Sequence, residues 1–241
     1  MLRSEKAGSS VIRRLKLPAA AAVITAALLF SSCSKSTDIE YGDIYVFGHF
    51  EQDGDEENGP EKLEWIVMDT CEDSMLLLSR YVLLPMRYNE EYVDVTWETS
   101  SLRAWLNGSF IEEAFSEGEK GMILTVVNEN PGNAVYDTVG GSPTEDKVFI
   151  FSSDEAGAYL YTDEQKFVNG SAEPTGYAEE LGIVLSQKAG YEGRVTWWLR
   201  TPGVFQYSAA FADSDGYVYP NGAVVNNDTY SGVRPAVWIK R

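Results

Sequence analysis

The sequence predicts an α+β fold, and three observations carry that prediction. Runs rich in β-branched and aromatic residues occupy positions 44–84, helix signals with capping residues occupy 96–160, and short strands separated by Gly, Asn and Asp turns run from 195 to the end. Strands, then helices, then strands is the order of a domain that segregates its helices from its sheets. No internal repeat and no linker-like stretch interrupts 41–241, so one domain is expected there.

The first segment in chain order is a leader. Arg3, Lys6, Arg13, Arg14 and Lys16 make a basic start with one acid, Glu5, and Leu17–Phe30 is an uncharged, mostly apolar run of 14 residues. A membrane-spanning helix needs about 20, so the run suits a signal peptide. Ser31-Ser32-Cys33 then completes a pattern that resembles the bacterial lipobox, with Phe30 where Leu is more usual. That resemblance implies cleavage before Cys33, lipid attachment to its thiol, and a chain held on the extracytoplasmic face of a cell membrane. Two or more acyl chains make such an anchor stable. Residues 34–40 read as a polar tether to the 41–241 domain.

Ile44–Phe50 reads as a strand, residues 51–60 as an acidic loop, Leu63–Asp69 as a returning strand with Leu63, Trp65 and Val67 on one face, and Met75–Leu84 as a buried strand, together an N-terminal β-meander. Two or three short helices follow. Thr96, Thr99 and Ser100 are candidate N-caps for a helix carrying Leu102, Trp105 and Leu106, which Asn107-Gly108 is expected to stop. Ser116 with Glu119, and Ser152 with Glu155, are capping boxes opening helices to about Ile123 and Leu160. Residues 128–144 read as a long loop. In the C-terminal meander, Val195–Leu199 and Ser208–Ala212 are strands. Asp213-Ser214-Asp215-Gly216 and Pro220-Asn221-Gly222 are turns around Tyr217–Tyr219, before Ala223–Val225. Val233–Ile239 alternates cleanly, and Pro235 places that last strand at an edge or a bulge.

Charge narrows the partners. The chain is −18 and the leader carries a net +4, so the remainder is −22. Such a domain repels nucleic acid and anionic lipid head groups but leaves cationic partners, calcium included, open. Cys71 is the only cysteine besides Cys33, so no disulfide staples the domain, and its aromatic residues must supply the core. Cys71 is expected to be a small buried residue. A zinc site or Ser-His-Asp triad would depend on the single histidine, His49, which is read as structural.

Five segments in order resemble the bacterial family known as domain of unknown function 6273: Tyr41–Ile44 with Phe47–His49, Glu64–Val67, Thr96–Asn107, Trp197–Gly203 and Gly232–Ile239. The resemblance brings no activity. It implies a C-type-lectin-like fold related to the formylglycine-generating enzymes, in which the C-terminal meander closes against the N-terminal strand. The sequence lacks the Glu-Pro-Asn and Trp-Asn-Asp calcium motifs of sugar-binding lectins, and the paired active-site cysteines of the enzymes.

Candidate sites follow from residue chemistry, each beside a structural alternative. Asp213 and Asp215, in a turn near Asn226, Asn227 and Asp228, are candidate calcium ligands, although turns need the same residue types. Asp53, Asp55, Glu57, Asn58 and Glu64 loosely resemble a calcium loop but place Gly59 one position late, which favours an acidic hairpin. Trp197 and Trp198 should point to opposite faces of a strand, one as core and Trp198 as a candidate platform for a sugar or peptide. Arg200, Asn226 and Asp228 join it as candidate ligand-binding residues, while Arg200 and Arg234 are also expected to pair with carboxylates. Glu112-Glu113 and Glu179-Glu180 read as solvated helix faces. The expectation is a surface lipoprotein that binds a glycan, a peptide or a surface protein. The alternatives are an enzyme on an altered formylglycine-generating scaffold and a purely structural envelope component.

Overall fold

The structure, a computed structural model, describes residues 39–161 and 170–241. The leader, Cys33 and most of the tether lie outside the described residues. No helix among those described is long and apolar enough to cross a membrane.

The fold is α+β. Its strands are β1 (Ile44–Phe50), β2 (Glu61–Thr70), β3 (Ser74–Ser79), β4 (Val126–Asn128), β5 (Thr144–Asp146), β6 (Val148–Phe149), β7 (Thr196–Pro202), β8 (Ser208–Ala212), β9 (Val218–Val224), β10 (Ser231–Gly232) and β11 (Ala236–Lys240). Short helices are α1 (Ser101–Trp105), α2 (Ile111–Ala114), α3 (Glu117–Lys120), α4 (Ser153–Leu160) and α5 (Gly176–Glu180). A five-stranded sheet runs β1-β2-β3-β11-β6, a four-stranded sheet runs β10-β7-β8-β9, and β4 pairs with β5 as a hairpin.

The three strands of the N-terminal meander form, with the third ending at Ser79 and not at Leu84. Leu63, Trp65 and Val67 are fully buried, and Ile66 and Met68 on the opposite face are buried too, so both faces of β2 are covered. The β1–β2 register shifts at Gly48, whose φ of +80° and closeness to the Phe115 ring (2.6 Å from a built Cβ) exclude a side chain.

The last strand differs from expectation in two ways. It pairs with β3 and not with the N-terminal strand, and β6 flanks its other edge, so it is central. Met75–Ser79 of β3 are buried, so both edges of that strand need partners for their backbone groups, whereas β1 exposes Ile44 and Val46 and forms the sheet's edge. Pro235, which has no N–H, falls just before β11, and its carbonyl accepts from Ser79 N–H at 2.8 Å. The strand therefore begins at Ala236, not Val233.

Asn107-Gly108 does not stop the helix. A π-turn over Leu106–Phe110 links α1 to α2, because Phe110 packs against Phe50 and Phe115 and Ile111 and Ala114 beyond it are buried too. Asn107 instead bonds outward: its carbonyl oxygen accepts from Lys147 and Val148 N–H, and its amide donates to Val148 O at 2.8 Å. The three predicted serine caps hold, with Ser100, Ser116 and Ser152 each accepting from the backbone N–H three residues on. Pro220-Asn221-Gly222 is not a turn between strands but an irregularity inside β9, where the register against β8 shifts between Ala209 and Phe211. Residues 129–143 are the loop of the β4–β5 hairpin, tied down where the Asn133 amide donates to Pro202 O (2.8 Å) and Pro220 O (2.7 Å).

Candidate functional site

The four-stranded sheet carries the site. All seven residues of β7 are buried. Trp197 Nε1 donates to Gly170 O at 2.9 Å and Trp198 Nε1 to Met86 O at 2.7 Å. Trp198 is wholly covered, so it is a core residue and not the exposed platform expected of it: segments on both sides of this strand bury it, whereas alternation alone leaves one face open. Arg200 is also buried. It forms a two-pronged ion pair with Glu155 and donates to Ile150 O at 2.9 Å, which binds α4 to β7. This is the carboxylate pairing the sequence suggested, and it leaves Arg200 turned inward, away from any surface ligand.

The loop from β8 to β9 is the Asp213–Gly216 turn. Asp213 Oδ1 accepts from Ser214 N–H at 2.8 Å, and Gly216 closes the turn at φ +86° by donating to Asp213 O. Asp215 is nearly buried, ion-paired to Lys188, and accepts from Tyr217 N–H at 3.1 Å. That ion pair raises the Lys188 pKa, with Asp213 adding to it at longer range. The two carboxylates thus serve the turn and the 186–188 segment. Among the described residues, the acidic oxygens that converge within 4.8 Å are those of Glu51, Asp53 and Glu61. In this acidic hairpin Glu51 accepts from Gly54 N–H, Asp53 from Asp55 N–H and Glu61 from Gln52 N–H, as a loop closing on itself does.

Beside the Asp213 turn lies an open cavity of about 350 Å³. Val184 and Leu185 give it an apolar wall; Lys188, Arg194, Asp213 and Tyr230 add polar groups. Thr196 Oγ1 donates to Tyr230 O and pins the segment after β9 to β7. The Tyr230 ring stands edge-on to Phe211 (5.4 Å), and Tyr219 stacks flat on the same ring (5.4 Å, 6°). Tyr219 and Tyr230 are more than a third exposed. Burial first, then the Asp213 carboxylate, raises the Tyr230 pKa, which keeps its hydroxyl a neutral hydrogen-bonding group. The surroundings thus combine aromatic rings, hydroxyls and charges of both signs next to apolar surface.

Asp228 pairs with Arg87 at 3.2 Å on the surface, and Asn226 is half-buried in the bend after β9. Neither lines this cavity; of the sequence-predicted site residues, Asp213 does. Lys188, Arg194 and Tyr230 were missed, since they lie 17 to 25 positions from Asp213 and carry no local motif. His49 is exposed and Cys71 half-buried.

A second polar cluster went unread. The Asp146 side chain is completely buried and accepts from Trp97 Nε1 (3.0 Å), Arg103 Nε (2.6 Å), Asn128 Nδ2 (2.9 Å) and Thr144 Oγ1 (2.7 Å). Trp97, Arg103 and Asn107 of the helical segment all grip residues 144–148, so that segment's polar residues are structural.

Residues 72–241, more than two thirds of the chain, match the model of a family described as a domain of unknown function (DUF6273). No curated protein and no solved structure matches the chain.

Proposed function

The chain belongs to the DUF6273 family, and from that premise we propose that it is a bacterial surface lipoprotein, lipid-anchored through Cys33 on the extracytoplasmic face, whose domain binds a glycan. The observation that carries the reading is the cavity beside Asp213. The partly exposed Tyr230 lines it beside hydroxyl and charged groups, the pairing that sugar rings use: apolar C–H faces against an aromatic ring, hydroxyls to polar side chains. About 350 Å³ accommodates one or two sugar units. A C-type-lectin-like ancestry is part of this reading. Its support is that the first and last strands share one sheet and that the candidate cavity lies on the C-terminal meander.

The test uses the full chain in a nonionic detergent on an array of bacterial and host glycans, followed by titration of the best ligand. Tyr230→Ala should weaken binding about five- to tenfold, from loss of one aromatic contact. An array with no retained glycan, or a Tyr230→Ala affinity equal to that of the parent, would overturn it. Radiolabelled palmitate entering the parent but not Cys33→Ser tests the anchor separately.

A further inference from the structure

A second cavity, of about 410 Å³, opens where the acidic loop after β1 meets α1, α2, α5 and the segment after β3. Its deeper lining is apolar: Phe50 and Leu84 are buried, and Met86 and Trp105 are partly exposed. The Phe50 and Trp105 rings form a corner, 6.3 Å apart with 79° between their planes, and Tyr177 of α5 brings a third ring to the lining. Every charged residue that lines the hollow is an acid: Glu51, Glu56 and Glu113.

The carboxylates differ in what they already hold. Glu51 is engaged by its own loop, accepting from Asp53 and Gly54 N–H. Glu56 and Glu113 are exposed, and among the described residues neither forms an ion pair. Exposed carboxylates by themselves select nothing. Here they lie at the opening of an aromatic corner, whose low-dielectric walls focus their field. Ring faces carry the negative part of the aromatic quadrupole and attract a cation in the same sense.

The deeper lining also decides which cation fits. A calcium ion needs six or more oxygen ligands, and a primary ammonium has three N–H donors to satisfy. Backbone acceptors at depth are taken: Leu84 O accepts from Val233 N–H at 3.0 Å and Met86 O from Trp198 Nε1 at 2.7 Å. A quaternary ammonium has no N–H and turns methyl groups to the walls, so it loses no hydrogen bond on entering. We propose that this cavity binds a quaternary ammonium group, seated in the Phe50–Trp105 corner beside Tyr177, with Glu56 and Glu113 drawing it in from the mouth. The cavity shares no lining residue with the one beside Asp213, so the site does not depend on the glycan reading.

The experiment titrates the full chain, in nonionic detergent and at matched ionic strength, with choline chloride. Parallel titrations use ethanolamine, calcium chloride and 3,3-dimethyl-1-butanol, the neutral isostere of choline. The readout is the ¹⁵N-resolved Trp105 Nε1–H signal, identified by its loss in Trp105→Phe. A saturable shift with choline is expected, with affinity about tenfold or more above that for the neutral isostere. Glu56→Gln with Glu113→Gln, both at exposed positions, should weaken choline binding about two- to fivefold. Equal affinity for 3,3-dimethyl-1-butanol would reduce the hollow to an apolar cleft, and tighter binding of ethanolamine or calcium would make the carboxylates the site; either result overturns the proposal. So does a shift that never saturates, or one confined to other indoles. A blank glycan array alongside a saturable choline titration leaves this site standing and removes only the glycan reading.

Discussion

Asp146→Ala tests how the helical segment is locked to the rest of the domain. The substitution removes the acceptor of four donors: one charged, Arg103 Nε, and three neutral, on Trp97, Asn128 and Thr144. Breaking a buried charge pair from one side costs about 3–5 kcal/mol, because the abandoned partners keep their desolvation penalty. Arg103 is a quarter exposed and recovers some water contact, which places the loss toward the lower end, about 3 kcal/mol. That is a large part of the roughly 5–15 kcal/mol that holds a domain together. Urea denaturation followed by tryptophan fluorescence measures it, with Trp97 itself reporting on the site. A cycle with Arg103→Met separates the ionic contact from the neutral ones. A loss below about 1 kcal/mol in Asp146→Ala would refute the idea that this carboxylate organises the 97–107 and 144–148 segments.

Two further stability effects follow from local geometry. Gly232→Ala places a methyl group against the Val82 side chain and 2.9 Å from both Ile183 Cδ1 and the Leu84 carbonyl oxygen. The backbone atom cannot yield, so about 1–3 kcal/mol should be lost in chemical denaturation, and an unshifted midpoint would count against the packing described. Glu119 gives a pH signature. Burial works against its charge, but hydrogen bonds from Ser116 Oγ, Ser116 N–H and Gly48 N–H, and then the proximity of His49, outweigh it and hold its carboxyl below 4.5. Its folded pKa is depressed, so its contribution is present above the unfolded value and fades as the pH falls through the folded one. Glu119→Gln should therefore be less stable than the parent near neutrality, and the gap should narrow below pH 4.5; a gap constant down to about pH 3 would contradict the assignment.

Much of the backbone was legible because its signals are local. Alternation at 44–50 and 63–69 depends on the two-residue period of a strand, and the serine caps at 100, 116 and 152 depend on atoms three residues apart. Local signals misled where distant packing outweighed them. Asn107-Gly108 has the chemistry of a helix stop, yet Phe110 and Ile111 carry the helix onward because their burial outweighs the cost of a glycine there. Trp198 alternates as a surface residue would, but coverage of both faces of β7 is a property of the assembled layers.

By itself, the sequence determined the α+β class, the two meanders, the caps and the acidic balance of the domain. Each arises from residue type and short-range period. Tertiary structure alone decided that β11 enters the sheet beside β3, that Arg200 meets Glu155, that Asp146 gathers four donors, and that Phe50, Trp105 and Tyr177 line one hollow. Apart from Asn128 and Thr144, which lie near Asp146 in the chain, those partners stand 40 or more positions apart, and what joins them is the burial of apolar faces, which is non-directional and leaves no spacing in the sequence to read.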